Sequence, residues 1–182
     1  EKAKTYVLMK DFISSENILI NLLDEHSENS MMRSEISEVN FIMGNIYLNY
    51  YNDFKKSQEF YQKSSDKSKT SEFGKKSQEI ISSISNYNNL LDEIVYLKAV
   101  NNNDDDENET LDSNPFSNPL PNLTNKLTGI DSLIFSSAQI LYFDLGVKDS
   151  AVYKFKYIID RFPDSRFYYK SLVMMDIEEP EA

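Results

Sequence analysis

The residues of this chain that could carry acid–base chemistry are clustered carboxylates. Asp92 and Glu93 are neighbours in a helical stretch, and Asp104 to Glu107 form a continuous acidic run. Acid–base catalysis needs such groups in a low-dielectric pocket that separates their pKa values. Carboxylates on a helix surface or in a polar loop lack that environment. A hydrolase that uses the loop carboxylates is therefore the least favoured function, and we predict a protein that is not an enzyme.

Metal and cofactor chemistry has equally little support. The chain contains no Cys, which excludes thiolate-bound zinc, iron–sulfur centres and a thiol nucleophile. His26 is the single His, and we interpret it as a residue favoured by the dipole at a helix C-terminus. The acidic run at 104–109 lacks the Gly that a calcium loop requires, so a solvated insert is the favoured interpretation. We expect no cofactor and no metal site.

The net charge of −11 is concentrated in two short segments. Residues 101–113 and 176–182 together hold ten of the eleven excess negative charges. No Lys/Arg cluster follows a helix face, so we expect no nucleic-acid binding. No apolar stretch approaches the ~18 residues that indicate a membrane span, so we expect no transmembrane segment. Because the chain begins with Glu1 and not Met, we expect that its true beginning is missing, and membrane anchoring through that part stays open.

Helical periodicity covers the chain on both sides of a polar insert. In the clearest example, a stripe of five apolar residues predicts one helix over about 71–99. The stripe consists of Ile80, Ile84, Tyr87, Leu91 and Ile94. Further helices are predicted at about 2–9, 12–25, 34–51, 54–68, 130–145, 148–161 and 165–176. No stretch alternates Val, Ile and Thr as a strand would, so the predicted fold class is all-α.

The polar insert reads NNNDDDENETLDSNPFSNPLPNLTN and holds three of the five Pro residues. It has too little apolar surface to offset the entropy of ordering, so we predict a disordered or loosely held segment. The predicted organisation is helical repeats over 1–100, a flexible acidic insert over 101–127 and further helices over 128–182. The stretch 165–176 is predicted to be the first helix of a following, truncated repeat.

An internal repeat becomes visible when Gly44 is aligned with Ala138. Small residues then match 13 positions later, and aromatic residues match four positions after those. The matched positions are Ser57 with Ala151 and Tyr61 with Phe155, and a weaker third copy, with a turn one residue shorter, aligns Ala3, Ser15 and Leu19.

These offsets have a physical reason. Two antiparallel helices approach closely only where small side chains meet at the crossing, and a large residue one turn later fills the space beside them. The pattern therefore predicts helical hairpins that cross at the small residues. One hairpin cannot bury its apolar face alone, so we expect successive hairpins to stack into a solenoid.

The repeat resembles that of the tetratricopeptide family. One copy fits with Gly44, Tyr47, Ser57 and Tyr61, and another with Ala138, Leu141, Ala151, Phe155 and Pro163. Both copies depart from the family by one extra residue in the turn between the helices. The spacing of 42 residues from Ser15 to Ser57 also exceeds the family's period of about 34. The resemblance implies antiparallel helix pairs stacked as a right-handed solenoid that binds proteins.

The later copy is similar to repeats of bacterial envelope tetratricopeptide proteins, such as those of the Tol–Pal system and of the outer-membrane β-barrel assembly machine. Those repeats share an Asp-Ser-Ala turn and a second helix that ends in Arg-Phe/Tyr-Pro-x-Ser. The matching residues here are Asp149, Ser150, Ala151, Arg161, Phe162, Pro163 and Ser165. The resemblance implies a periplasmic or outer-membrane-associated location, with a cytoplasmic adaptor or regulator of the same fold as the alternative.

The family's binding groove is lined by the first helix of each pair, and the resemblance carries this position onto two sets of residues. These are Glu38, Phe41, Asn45, Leu48 and Asn49, followed by Ser132, Phe135, Gln139, Tyr142 and Phe143. Aromatic rings beside amides suit a peptide or a partner helix. The alternative, that Phe41 and Phe135 merely pack between neighbouring repeats, stays open. The predicted function is a non-catalytic scaffold that binds a protein or peptide partner in this groove.

Overall fold

The computed structural model describes residues 1–102 and 129–178, and these residues form helices joined by short connections. The helices are α1 (Lys2–Leu8), α2 (Phe12–His26), α3 (Arg33–Asn49), α4 (Phe54–Lys67), α5 (Glu72–Asn102), α6 (Ile130–Gln139), α7 (Lys148–Arg161) and α8 (Tyr168–Glu178). A 3₁₀ turn, Ser30–Met32, precedes α3, and a π-helical turn, Ile140–Asp144, extends α6. The two described ranges contain no strand, so the all-α prediction is confirmed.

The chain divides into two compact units, Glu1–Ser85 and Asn86–Ala182. The boundary lies inside α5, the longest helix. Its predicted apolar stripe is largely internal: Ile84 and Ile94 are fully buried. All but the first two residues of the predicted acidic insert 101–127 lie outside the described residues, and those two end α5.

Aspartate side chains fix the starts of two helices. Asp11 precedes α2 and accepts a hydrogen bond from the Ser14 amide at 3.1 Å. Asp53 precedes α4 and accepts one from the Lys56 amide at 2.9 Å. These bonds satisfy backbone donors that have no partner within the helix. In unit 2, Val147 occupies the corresponding position before α7 and has no side-chain acceptor to offer.

The α3–α4 hairpin crosses at the predicted small residues. The Ser57 hydroxyl donates to the Gly44 carbonyl at 3.0 Å. A Cβ atom at Gly44 would lie 2.6 Å from the ring of Tyr61, which is fully buried. Further along, Ser37 and Ser64 each donate a hydroxyl to the other's carbonyl, at 2.8 and 2.7 Å. Because α3 residues of falling number meet α4 residues of rising number, the two helices are antiparallel.

In the other two copies of the repeat, the equivalent residues are also buried. In α1–α2, the Ser15 hydroxyl donates to the Ala3 carbonyl at 3.1 Å. In α6–α7, Ala138 and Ala151 are fully buried, and so is Phe155. The sequence-based prediction that small residues mark the helix crossings is therefore confirmed at the contacts in unit 1, and the matching positions are core positions in unit 2.

All three hairpin turns contain one residue in the left-handed region at the same place. These residues are Lys10, Asn52 and Gly146, with φ of 59°, 54° and 70°. Each turn is also closed by a backbone bond between equivalent residues. The bonds run from Asp11 N to Tyr6 O (2.9 Å), from Asp53 N to Tyr47 O (2.9 Å) and from Val147 N to Leu141 O (2.8 Å). The three turns thus share a left-handed residue and a closing backbone bond, which spans five residues in the first copy and six in the other two.

The extra turn residue of the two longer copies has a structural explanation. In both, a backbone amide reaches a carbonyl five residues earlier. The bonds join Tyr51 N to Ile46 O at 3.3 Å and Leu145 N to Ile140 O at 3.0 Å. This pattern is a single π-type turn, which accommodates one inserted residue at a helix end. The inserted residue is therefore absorbed at the end of each first helix.

Candidate partner-binding surfaces

The five groove residues predicted in unit 1 do not form one exposed surface. Leu48 is 1% exposed and belongs to the core. Phe41 is half-buried, and its ring lies 5.6 Å from that of Tyr61 and 5.4 Å from that of Phe73 at the start of α5. Phe41 therefore packs between helices, as the alternative interpretation of this residue held.

The polar members of this set are mostly engaged within the unit. The Glu38 carboxylate pairs with Lys4 of α1 at 2.6 Å, and the hydrogen bond to Glu38 raises the pKa of Lys4. The Asn45 Oδ1 atom accepts a hydrogen bond from the Tyr61 hydroxyl at 2.8 Å. Asn49 is exposed, and its amide donates to the Asn45 carbonyl at 3.2 Å.

In unit 2, two of the five predicted groove residues, Phe135 and Ser132, make contacts within the unit. Phe135 is 6% exposed, and it stacks on Phe167 at 4.8 Å and contacts Phe155 at 5.6 Å. Ser132 is half-buried in the first turn of α6, where its amide donates to the Asp131 carboxylate at 2.9 Å. Phe135 is a core residue and presents little surface to a partner.

The other three residues form an exposed patch at the end of α6. Gln139 is exposed, Tyr142 is half-buried and Phe143 is 63% exposed. The rings of Tyr142 and Phe143 lie 4.8 Å apart, and the Lys148 amine lies 5.2 Å above the Tyr142 ring. We call these four residues the α6-end patch. Two of them, Tyr142 and Phe143, belong to the π-helical turn, a distortion that often marks functional positions.

A hydrogen-bonded network in unit 1 has no counterpart in the sequence-based prediction. The Glu16 carboxylate of α2 accepts hydrogen bonds from the hydroxyls of Tyr47 and Tyr51, the latter at 2.8 Å. The Lys56 amine donates to the Tyr47 hydroxyl at 2.6 Å and lies 4.1 Å above its ring. The bond to Glu16, followed by burial, raises the pKa of Tyr51 to about 12. The network ties α2, α3 and α4 together through protonated hydroxyl groups.

Unit 2 contains a buried amine that the sequence also did not indicate. Lys154 of α7 is 3% exposed, and its amine lies 5.3 Å from the centre of the Tyr87 ring. Burial, and then the positive charge of Lys98, lowers the pKa of Lys154 to about 7. Near neutral pH this side chain therefore changes its charge inside the unit.

A pocket of about 550 Å³ lies between the second hairpin and the helix before it. We call it the α2–α3–α4 pocket. Its lining residues are Leu23, Asp24, Ser27, Ile36, Asn40, Lys63, Asp66 and Lys67. None of them was predicted as a site residue. The only signal in the sequence was the long 42-residue spacing between the first two copies, because the additional residues fall in the α2–α3 connection and the first turns of α3.

The side chains considered for metal binding or acid–base catalysis do not converge within the described ranges. Among the described residues, no three His, Asp or Glu side chains converge as metal ligands would. His26 lies 3.6 Å from Glu25, and Asp92 and Glu93 are exposed on α5. The carboxylates at 104–107 lie outside the described residues. In the same ranges, no helix is long and apolar enough to cross a membrane.

No family model, no curated protein and no solved structure matches the chain significantly.

Proposed function

We propose that this protein is a non-catalytic scaffold of tetratricopeptide-like hairpins that binds a peptide or protein partner along its first helices. The observation that carries the proposal is the hairpin repeated three times, with a left-handed residue and a closing backbone bond in each turn and buried small residues at the equivalent positions. Repeated hairpins of this kind serve as extended binding surfaces, because each copy adds another first helix to the same face.

The proposal includes stacking of the hairpins into a right-handed solenoid. Contacts within unit 1 support it, because they join first helices to one another. Lys4 of α1 pairs with Glu38 of α3, and Phe41 of α3 contacts Phe73 at the start of α5. In a solenoid of helix pairs, consecutive first helices are neighbours, as these contacts require.

The α6-end patch is the part of the predicted groove that is best suited to a partner. Aromatic rings supply large contact area at low entropic cost, and an amide side chain pairs with a partner's backbone. Phe143 and Gln139 are both exposed, so neither must leave a core to bind.

A pull-down comparison tests the proposed surface. We expect the double variant Phe143→Ser, Gln139→Ala to lose a partner that the parent chain captures from cells of its source. The control is Tyr153→Ser with Lys156→Ala, two exposed changes on α7. The captured partner is then purified and titrated, and we expect affinity to fall at least about tenfold in the groove variant alone. Equal affinity of the partner for the parent chain and for both variants would refute the α6-end patch as its binding site.

We further propose a location in a bacterial cell envelope, supported by the resemblance of residues 140–175 to envelope repeats. Cell fractionation tests it: an antibody against the chain should detect the protein with periplasmic and outer-membrane markers. Detection with cytosolic markers would favour the cytoplasmic adaptor of the same fold.

A further inference from the structure

We propose that the α2–α3–α4 pocket is a second docking site, which receives one apolar side chain of an extended peptide segment of the partner. The inference rests on the proposed function, since it assumes that the partner is a protein. It adds a site away from the predicted groove residues, and it specifies the chemistry of what binds there.

The pocket is held open by bonds on two sides. The Lys67 amine of α4 donates to the Ser27 carbonyl at the end of α2, at 2.5 Å. The reciprocal bonds of Ser37 and Ser64 fix the first turns of α3 against the last turns of α4. Because these bonds lie within the chain itself, a partner loses little entropy in organising the pocket walls.

The inner lining combines apolar surface with one amide. Ile36 and Asn40 are each 3% exposed, and Leu23 is half-buried. The Asn40 amide nitrogen donates to the Ile36 carbonyl at 2.8 Å, which holds the side chain in place. Leu23, Ile36 and the methylene stems of Lys63 and Lys67 supply the apolar part of this lining, and its other members are polar. Such a lining suits an apolar group that is flanked by polar main chain.

The charges of the lining narrow the class of occupant. Asp24 and Asp66 balance Lys63 and Lys67, so the four charges cancel. One amine is already bonded to Ser27, and the Asp66 carboxylate accepts a hydrogen bond from Gln62 at 2.9 Å. A phosphate or nucleotide needs an excess of positive charge or free amide donors, which this lining does not offer. A peptide main chain is neutral, and its flanking residues can pair with charges of either sign, so a peptide with an apolar side chain is complementary.

The test uses peptides selected from a displayed library of random 12-residue sequences against the full 182-residue chain. We expect the selected peptides to share a central apolar residue and to lose at least about tenfold in affinity when it is replaced by Ala. Ser27→Phe, which narrows the pocket, and Leu23→Ala, which removes part of its apolar lining, should each weaken binding by a similar factor. Asn21→Phe adds the same ring at an exposed position of α2 and should leave affinity unchanged.

A second readout locates the peptide. In the parent chain, added peptide should shift the methyl NMR signals of Leu23 and Ile36. Some peptides could keep their affinity for the Ser27→Phe and Leu23→Ala variants but lose affinity for the Phe143→Ser, Gln139→Ala variant. That result would overturn the pocket as a docking site and leave the proposed function standing. Recovery of no peptide at all would also overturn the pocket, whereas the scaffold function is judged separately by the partner pull-down.

Discussion

The α3–α4 hairpin of unit 1 and the α6–α7 hairpin of unit 2 place small residues of different chemistry at equivalent positions. In α3–α4, the crossing is made by Gly44 and Ser57, and a hydroxyl-to-carbonyl bond joins the helices. In α6–α7, the same positions are Ala138 and Ala151, which are fully buried.

The comparison shows which feature the repeat requires. Both pairs of residues are small, whereas their polarity differs, so close approach of the backbones is what the position must permit. The turns agree with this interpretation. Asn52 and Gly146 take up the left-handed conformation at equivalent places, although only Gly does so without strain.

The largest effect should come from removing the ring beside each crossing. Tyr61 and Phe155 are both fully buried, so Tyr61→Ala and Phe155→Ala should each lower the free energy of unfolding by about 3–5 kcal/mol. Chemical denaturation measures the unfolding free energy of both variants. Tyr96→Ala, at a 65% exposed position of α5, serves as control and should cost less than about 0.5 kcal/mol. A small loss at only one of the two rings would show that the hairpins are not equivalent.

The buried amine should make unit 2 dependent on pH in a way that unit 1 is not. The pKa of Lys154 is about 7 in the folded chain and near its ordinary value of about 10.5 when unfolded, so the unfolded state binds more protons between these values. Stability should therefore rise by about 2 kcal/mol from pH 7 to pH 9. Lys154→Met should remove this rise. A variant with the parent's pH dependence would mean that Lys154 does not titrate as described.

Exchanging the polar and apolar crossings should have unequal results. Ser57→Ala loses the bond to the Gly44 carbonyl and should cost about 1 kcal/mol. If α6–α7 crosses as α3–α4 does, the hydroxyl added by Ala151→Ser meets the Ala138 carbonyl, and the effect on stability should be within about 0.5 kcal/mol. Thermal melts of both variants, with the exposed Ser82→Ala as control, provide the comparison. A cost of several kcal/mol for Ala151→Ser would contradict the equivalence of the two crossings.

The turns should respond in opposite directions with small amplitudes. Gly146 has a φ of 70° and no atom within 4 Å of a Cβ position, so Gly146→Ala should cost about 1 kcal/mol through backbone strain alone. Asn52→Gly relieves a mild strain and should change the unfolding free energy by only a few tenths of a kcal/mol. The midpoints of urea unfolding resolve this difference. If Asn52→Gly lowered the unfolding free energy by more than Gly146→Ala does, the two turns would not share one conformation.

Local packing could be predicted from the sequence, because it depends on residues close along one helix pair. The apolar stripe of α5 and the small residues at Gly44, Ser57 and Ser15 determined both the helices and their contacts. In the sequence, the π-type turn was visible only as one extra residue in the turn between the two helices of a pair.

The candidate site was predicted less completely, because exposure depends on what packs around a helix. Leu48 and Phe135 fall at groove positions of the family pattern, yet both are buried by neighbouring elements. The bond between Glu16 and Tyr47 joins residues 31 positions apart, which no periodicity encodes. The α2–α3–α4 pocket arises from three helices at once, so it has no sequence motif.

Amide hydrogen exchange at Asp53 and Val147 tests the central claim, that the hairpins are copies of one structural unit, most directly. Their backbone N–H groups donate to the Tyr47 and Leu141 carbonyls at 2.9 and 2.8 Å across the turns. We predict that both amides exchange at least about 100-fold more slowly than in an unstructured peptide. Protection at one amide, with free exchange at the other, would contradict the claim.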